Sequence, residues 1–226
     1  VGAESNPTKM RDLYARYTLQ REPIGPPDGQ FKYSNAGYTL LGHVAEVAMK
    51  KPFEQLMREY VFEPIGMASA VVGNLESEAN RAVGHVADGD KVVANDMTDP
   101  LGLFISPAGN MWCTLEDLAR FGKAHLDGLK GRPTFLRVET IKKLHESAAE
   151  GPGMGDYACG WVVGPLMGTE VRHGHNGSNG TMVAELAIFP GVELVVASIM
   201  NRGDERRPAA PLQLLEAVGQ RLAPRK

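Results

Sequence analysis

Residues 181–200 read TMVAELAIFPGVELVVASIM, in which two apolar runs stand on either side of Pro190-Gly191. Val and Ile favour strands and a Pro-Gly pair interrupts them, so the pattern predicts antiparallel strands at 181–189 and 193–200. Two further strands are predicted at 159–163 and 170–173. The C-terminal part of the chain is therefore expected to form an antiparallel sheet.

Helical patterns occur before and after the predicted sheet. Apolar residues recur at helical spacing between residues 36 and 49, and Thr114 followed by Asp117 resembles a capping box at a helix start. Helices are predicted at 36–49, 52–62, 115–126, 138–145 and 211–222. The last helix carries one apolar side that can cover a face of the sheet, formed by Leu212, Leu215, Val218 and Leu222. The predicted fold class is mixed α/β, an antiparallel sheet flanked by helices.

Turn-forming residues fill the rest of the chain. Residues 1–32, with Pro23, Pro26, Pro27 and Gly29 towards their end, are interpreted as a connection. The stretch 68–99 is interpreted as a surface excursion that contains a hairpin turning at Asp88-Gly89. We predict a single domain over 1–226, mainly helical at 36–150 and formed by a sheet and a C-terminal helix at 151–226.

The composition excludes two classes of partner. Lys plus Arg number 24 and Asp plus Glu number 27, so the net charge of -3 offers no attraction to nucleic acid or anionic lipid. No apolar run approaches the roughly 20 residues that a membrane-spanning helix needs. Cys113 and Cys159 lack the spacing of a zinc site, and neither a metal nor a cofactor is expected. A single disulfide between them stays open.

The first candidate for chemistry is Tyr33-Ser34-Asn35, directly before a predicted helix. The Tyr33 phenol can act as a general base if neighbouring cations lower its pKa from about 10 towards neutrality. Asn35 can hydrogen-bond a substrate amide. In the alternative interpretation, Tyr33 is a half-buried aromatic residue and Ser34 or Asn35 is the helix N-cap. The triplet alone leaves both open.

The second candidate is HGHNGSNG at 173–180, between two predicted strands. Glycines let the backbone pass close to a ligand, so the Ser178 amide can stabilise an oxyanion while His175 supplies a positive or hydrogen-bonding group. His173 and His175 alternate as residues on one face of a strand do, and can instead bind a metal, although spacing nominates no further ligand. A plain glycine-rich turn is the third interpretation.

Three segments, in this order, resemble class C β-lactamases, related carboxylesterases and D-amino-acid peptidases, a serine hydrolase family that includes penicillin-binding proteins. Tyr33-Ser34-Asn35 is similar to the family's tyrosine-x-asparagine motif, and His175-Asn176-Gly177 to the His-x-Gly form of its third motif. Between them, SPAGNMWCTLEDLARFG at 106–122 resembles a further family stretch, with Asn110 where glycine is usual. The resemblance implies a β-lactamase/transpeptidase-like fold and acyl transfer to water, on a small-molecule or peptide substrate with an ester, amide or β-lactam bond.

The resemblance also assigns roles. It implies that Tyr33 acts as the base, Asn35 orients the substrate, His175 assists electrostatically, and Gly177 and the Ser178 amide belong to the oxyanion site. The serine nucleophile is expected in a Ser-x-x-Lys motif, but none of the eight serines has a lysine at the fourth position. We therefore expect a missing N-terminal part upstream of Val1, and an inactive chain in isolation.

A missing N-terminal part would also leave the sheet incomplete. The sheet is predicted to have an unpaired edge or apolar face, which a homo-oligomer or the missing N-terminal part would cover. The family resemblance implies a periplasmic or extracellular location. The alternative function is that of a non-catalytic relative, which binds a peptide or other ligand in the same cleft without cleaving it.

Overall fold

A computed structural model of the chain describes residues 6–26, 31–73, 75, 81–95, 102–151, 155–165, 171–203 and 210–222. Its α-helices are α1 (Pro7–Leu19), α2 (Asn35–Met49), α3 (Phe53–Met57), α4 (Leu115–Leu129), α5 (Val138–Leu144) and α6 (Ala210–Leu222). Its strands are β1 (Val71–Val72), β2 (His85–Asp88), β3 (Lys91–Ala94), β4 (Met111–Trp112), β5 (Asp156–Tyr157), β6 (Val162–Pro165), β7 (Val171–Ser178), β8 (Val183–Phe189) and β9 (Leu194–Met200). The fold is mixed α/β, as predicted.

The main sheet is antiparallel, with the strand order β5-β6-β7-β8-β9. Because side chains alternate between the two faces of a strand, β8 contributes to two separate cores. Leu186 and Ile188 pack on the side of α4, while Ala187 and Phe189 pack against Leu215 of α6. The C-terminal helix therefore covers one face of the sheet, as predicted; the side chains of Leu212 and Leu222 lie outside the described residues.

The N-terminal segment contains a helix, so the prediction that residues 1–32 form a connection was wrong. Asn6 begins α1, because its side chain accepts a hydrogen bond from the Lys9 amide at 3.1 Å. Pro7 suits the first helical position, where its missing amide hydrogen costs nothing. This Asn-Pro start is the local signal that the sequence analysis missed. Pro27 and Gly29 lie outside the described residues.

A buried ion-pair network fastens α1 to the helices behind the candidate site. The Arg11 side chain is fully buried, and its Nη2 lies 2.7 Å from Glu46 Oε1 and 2.9 Å from Glu54 Oε1. Glu46 also accepts a hydrogen bond from the Phe53 amide at 2.9 Å. A buried arginine needs such partners, since an unpaired charge is expensive to remove from water. The network therefore holds α1, α2 and α3 together as one unit.

The predicted helices are present with shifted ends. The helix predicted at 52–62 is α3, followed by a π-helical turn at Arg58–Phe62. At the start of α4 the capping box is only half formed: the Thr114 hydroxyl accepts from the Asp117 amide at 3.3 Å, but the Asp117 carboxylate accepts instead from the Ser69 amide at 2.8 Å. A residue distant in sequence thus completes the cap.

Two strand boundaries differ from the predictions. The segment predicted as a strand at 159–163 contains the break between β5 and β6, because Gly160 has a φ of +83°, which favours glycine. β7 continues to Ser178, so residues 173–178 are strand and the interpretation as a glycine-rich turn was wrong. The turn follows, where Asn179 Oδ1 accepts from the Thr181 and Met182 amides. Glu170, the predicted start of that strand, lies outside the described residues.

The predicted hairpin is formed by β2 and β3. The pairing of Asp88 with Lys91 places the two turn residues at Gly89-Asp90, one position later than predicted, and Gly89 has a φ of +59°. The hairpin is also attached to the sheet, since the His85 amide donates to the Thr181 carbonyl at 3.1 Å. It therefore lies against the turn between β7 and β8.

One edge of the sheet is the apolar strand β9. Within the described residues it pairs only with β8. Its sequence, LVVASIM, contains no charged residue, and Ile199 is 41% exposed. The unpaired edge that the sequence analysis predicted is therefore present in this part of the chain.

Candidate active site

Tyr33 and His175 are far apart in sequence but adjacent in the fold. Tyr33 stands just before Ser34, whose hydroxyl accepts from the Gly37 amide at 3.0 Å and caps α2. His175 lies in the middle of β7. Their ring centroids are 6.0 Å apart, with an interplanar angle of 32°. The start of α2 and the centre of β7 thus bring the two sequence motifs to one place.

Tyr157, at the end of β5, joins this pair although the sequence analysis did not nominate it. Its hydroxyl lies 3.2 Å from Nε2 of His175. Its ring is edge-on to Tyr33 at 6.1 Å and lies 4.8 Å from that of Phe31. Three aromatic side chains and one imidazole therefore form a single cluster between α2 and the sheet.

Both ring nitrogens of His175 have partners. The Asn176 carbonyl oxygen can only accept and lies 2.6 Å from Nδ1, so Nδ1 carries the proton of the neutral imidazole and the Nε2 lone pair faces the Tyr157 hydroxyl. Burial, together with the hydrogen bond to Tyr38, raises the pKa of Tyr157 above its usual value. The Tyr157 phenol therefore keeps its proton at neutral pH and orients the His175 ring.

The other two members of the first motif have different surroundings. Ser34 is the N-cap of α2, as the alternative interpretation of the triplet proposed, and Tyr33 is 56% exposed. Asn35 is the first residue of α2 and its side chain is exposed. Its carbonyl accepts from the Thr39 hydroxyl at 3.0 Å, so helix bonding fixes the backbone beside an accessible amide side chain.

Gly177 and Ser178 are the last two residues of β7. They pair with Ala184 and Val183 of β8, and both are exposed. No atom lies within 4 Å of where a Cβ would stand on Gly177, so this backbone can be approached closely from outside. The Ser178 hydroxyl accepts from the Gly180 amide at 3.1 Å, which fixes the start of the following turn.

A cavity of about 380 Å³ opens beside His175 and Gly177. Its walls come from α4, the segment before β6, and strands β7 and β8. Most of its lining is apolar, including Leu118, Phe121, Trp161 and Leu186. A larger hollow of about 650 Å³, on the far side of α4, borders none of the candidate residues, and its charged groups pair with one another, as Arg132 does with Glu193 at 2.8 Å.

His173 and His175 do not act together. Nδ1 of His173 lies 3.2 Å from Nδ1 of His145, on the buried side of α5, whereas His175 faces Tyr157. Within the described residues, no group of three His, Cys, Asp or Glu side chains is placed to hold a metal ion. The metal interpretation of this pair therefore receives no support from the arrangement of the two rings.

Cys113 and Cys159 are both free thiols, so the disulfide that the sequence left open is not formed. Burial, reinforced by the charge of Asp117, raises the pKa of Cys113 to about 11. Cys113 is therefore a protonated residue of the apolar core, whereas Cys159 is exposed at the rim of the cavity.

The chain belongs to the β-lactamase family, whose model matches residues 2–219. This places it among serine β-lactamase and penicillin-binding-protein-like chains, the class that the sequence motifs indicated. It is 27% identical over 209 residues to penicillin-binding protein 4 of Amycolatopsis lactamdurans, an alignment that covers 85% of this chain and 53% of the relative. A β-lactamase of Yersinia enterocolitica is 32% identical over 121 residues, which cover 53% of this chain and 29% of that enzyme.

Solved structures share the fold. The octameric penicillin-binding protein homologue from Pyrococcus abyssi superposes with a TM-score of 0.77 at 23% identity, over 95% of this chain and 48% of that one. The D-amino acid amidase from Ochrobactrum anthropi SV3, complexed with L-phenylalanine amide, gives a TM-score of 0.73 at 23% identity, over 98% of this chain and 66% of the amidase. This chain therefore spans about half the length of the first relatives that it matches.

The described helices include none that is both long and apolar enough to cross a membrane.

Proposed function

We propose that this chain provides the tyrosine and histidine sides of a serine hydrolase site, which transfers an acyl group from an ester, amide or β-lactam to water. The observation that carries the proposal is the 6.0 Å approach of the Tyr33 and His175 rings beside an open cavity. Membership of the β-lactamase family supports it. The serine nucleophile and its lysine come from an upstream segment, so the 226 residues alone are inactive.

Each candidate residue has a role in this reaction. The serine oxygen attacks the carbonyl carbon, Tyr33 accepts the serine proton and passes it to the leaving group, and water then releases the acyl group by the reverse proton path. His175, held by Tyr157, assists electrostatically. Asn35 orients the substrate amide, while Gly177 and the Ser178 amide stabilise the oxyanion at the exposed end of β7.

The substrate is an ester or peptide-like amide in preference to a β-lactam. The resemblance implies that His175 stands where the family often has lysine, and a permanent cation suits the β-lactam carboxylate better. Residues 1–226 act as one β-lactamase-like domain, at the periplasmic or extracellular side of the cell. The octameric Pyrococcus abyssi neighbour supports association of this chain with itself.

The proposal is tested on the native protein with its upstream segment. Mass spectrometry should find a species with an upstream Ser-x-x-Lys, and Tyr33→Phe should lower turnover of p-nitrophenyl esters by about 100-fold or more. Tyr17→Phe, at an equally exposed tyrosine of α1, is the control and should leave turnover unchanged. Full activity in Tyr33→Phe, or turnover of nitrocefin or esters by the 226 residues alone, would contradict the proposal.

The second candidate function is ligand binding without catalysis, and the observation that favours it is the absence of Ser-x-x-Lys from this sequence. A native protein that begins at Val1 and binds a peptide or β-lactam saturably, without an acyl adduct, would establish it.

A further inference from the structure

Three histidines form a hydrogen-bonded chain in the interior, outside the candidate active site. His125 belongs to α4, His145 follows α5, and His173 lies in β7. Nδ1 of His125 lies 2.9 Å from Nε2 of His145, whose Nδ1 lies 3.2 Å from Nδ1 of His173. His125 and His145 are only 3% and 4% exposed. The two hydrogen bonds of this histidine chain thus connect α4 and the end of α5 to strand β7.

Aromatic rings enclose this histidine chain. The Trp161 centroid lies 4.4 Å from that of His145 and 4.9 Å from that of His125, and Phe121 and Phe135 contact His125. From β8, Ile188 stands opposite His173. Titratable residues on the elements packed around the histidine chain are Glu116, Asp117, Arg120, Lys123 and Asp127 on α4, Glu139, Lys142 and Lys143 on α5, Glu146 after it, Asp156, Tyr157 and Cys159 before β6, Arg172 and His175 on β7, and Glu185 on β8.

These surrounding charges do not compensate a charge on the histidine chain. Glu146 pairs with Lys143 at 2.9 Å, and Asp127 pairs with Lys123 at 2.6 Å. Burial lowers the pKa of all three imidazoles, and in the described part of the molecule only His145 is also shifted by neighbouring charges, those of the other two histidines. Burial lowers the pKa of His125 to about 4 and, with the charges of the other two histidines, that of His145 to about 3.

Counting the protons in the two hydrogen bonds also shows that the histidine chain disfavours added charge. Each bond needs one N–H and one lone pair, so three neutral imidazoles satisfy both bonds. If all three carried a second proton, N–H would face N–H at both places and neither bond would survive. The histidine chain is therefore intact only while it carries few protons.

The segment held by His145 reaches the candidate active site. The Cys159 amide donates to the Leu144 carbonyl at 3.2 Å, and the Tyr157 amide donates to the Ala149 carbonyl at 2.8 Å. Tyr157 in turn contacts His175. A displacement of residues 144–149 would therefore carry β5 and Tyr157 with it.

We infer that the histidine chain is an acid-operated latch: protonation separates the 144–149 segment from α4 and β7, and withdraws Tyr157 from His175. The latch is a property of the fold, and only its effect on turnover rests on the proposed function. The unfolded or opened imidazoles have a pKa of about 6.5, so opening is favoured as pH falls from about 6.5 towards 4, by up to about tenfold per pH unit for each histidine.

Hydrogen exchange measured by mass spectrometry at about pH 7.5 and pH 5, corrected for the intrinsic exchange rates, tests the latch. The amides of 144–149 and 156–159 should lose protection at the lower pH by about tenfold or more relative to α2. His145→Phe keeps a ring against Trp161 but cannot be charged, and should reduce this response by at least the contribution of one histidine. His85→Phe, in the hairpin, is the control and should keep it. Equal protection at both pH values in the native protein would overturn the inference.

Two further measurements apply if His145→Phe fails to fold. His125→Phe, at the end of the histidine chain, should reduce the pH-dependent loss of amide protection by about the contribution of one histidine. A loss of protection as large as in the native protein would count against the latch. In the native protein, NMR titration of the six histidine rings should find two, His125 and His145, that titrate below about pH 5, and should find the pKa of His173 below its usual value. Six titrations near pH 6.5 would overturn the inference, whatever the enzymatic activity. Loss of turnover in acid without opening would leave the proposed function and exclude the latch.

Discussion

The Tyr157 hydroxyl lies 3.2 Å from Nε2 of His175 and links β5 to the centre of β7. Since Nδ1 of His175 is held by the Asn176 carbonyl, this phenol is what fixes the second nitrogen. The ring of Tyr157 also packs against Tyr33. The relationship makes Tyr157 the positioning residue of the candidate active site.

Tyr157→Phe keeps the ring contacts and removes only the hydroxyl. We expect turnover by the native protein to fall by about fivefold, because one hydrogen bond contributes roughly 1 kcal/mol. The free energy of unfolding should fall by a similar amount of about 1 kcal/mol. Steady-state kinetics with urea denaturation measures both, and NMR of the His175 ring should show a changed tautomer population. Tyr17→Phe is the matched control, and equal kinetics in the two variants would remove Tyr157 from the site.

Local rules predicted most helices and the long strands, because those segments carry their own periodicity and turn residues. Asn110 also follows a local rule. It stands where the family usually has glycine, and its φ of +87° lies in the left-handed region that asparagine tolerates best after glycine. The Asn6-Pro7 start of α1 was an equally local signal. It was overlooked because the buried residues of α1 are Arg11 and Ala15, whereas Leu13, Tyr17 and Leu19 are exposed, so no apolar periodicity marks the buried face.

Such local rules do not predict contacts between segments that are distant in sequence. Tyr157 reaches His175 only because Gly160 breaks the segment into β5 and β6, and nothing in the sequence fixes which strand lies beside β7. The completion of the α4 cap by Ser69 depends in the same way on a contact between distant segments. The two motifs of the site were found as separate pieces, whereas their meeting point required the structure.

The Arg11 network predicts a large and specific loss of stability. Arg11→Met would leave the Glu46 carboxylate buried without its main partner, and should lower the free energy of unfolding by about 3 kcal/mol or more. Urea denaturation measures the change. Arg16→Met, at an exposed arginine of the same helix that pairs with Asp12, is the control and should have little effect. Similar losses in both variants would show that α1 as a whole, and not the buried pair, matters.

Glu185 predicts a pH dependence of opposite sign to that of the histidines. Burial raises the pKa of Glu185 to about 7, although Arg172 at 3.6 Å opposes the shift. The folded state therefore holds a proton that the unfolded state loses above about pH 4.3, so this residue's contribution to stability falls as pH rises from about 4.3 to 7.

Glu185→Gln should remove that dependence. The difference in the free energy of unfolding between variant and native chain should rise by about 1 to 3 kcal/mol between about pH 5 and pH 8, in favour of the variant. Taking the difference cancels the contribution of the histidines. Glu139→Gln, on the exposed side of α5, is the control. A difference that stays constant with pH would mean that Glu185 is ionised in the folded protein throughout this range.

The last prediction concerns the edge strand β9. An uncharged strand with one unpaired side is a template for another strand, and a lysine at such an edge opposes pairing. Ile199 is 41% exposed on β9, and Val93 is 36% exposed on the separate hairpin strand β3. If the 226 residues associate through β9, Ile199→Lys should shift them towards monomer, whereas Val93→Lys should not.

Light scattering over a range of protein concentrations distinguishes these cases. The two variants gain the same charge, so a general effect of net charge on solubility would change both equally. A native chain that stays monomeric at about 100 μM would mean that β9 alone does not drive association, because unpaired backbone groups at an apolar edge should associate at such concentrations. Association that Ile199→Lys leaves intact would point instead to the other exposed apolar surface, on α2, where Leu41, Val44 and Val47 are each at least 60% exposed.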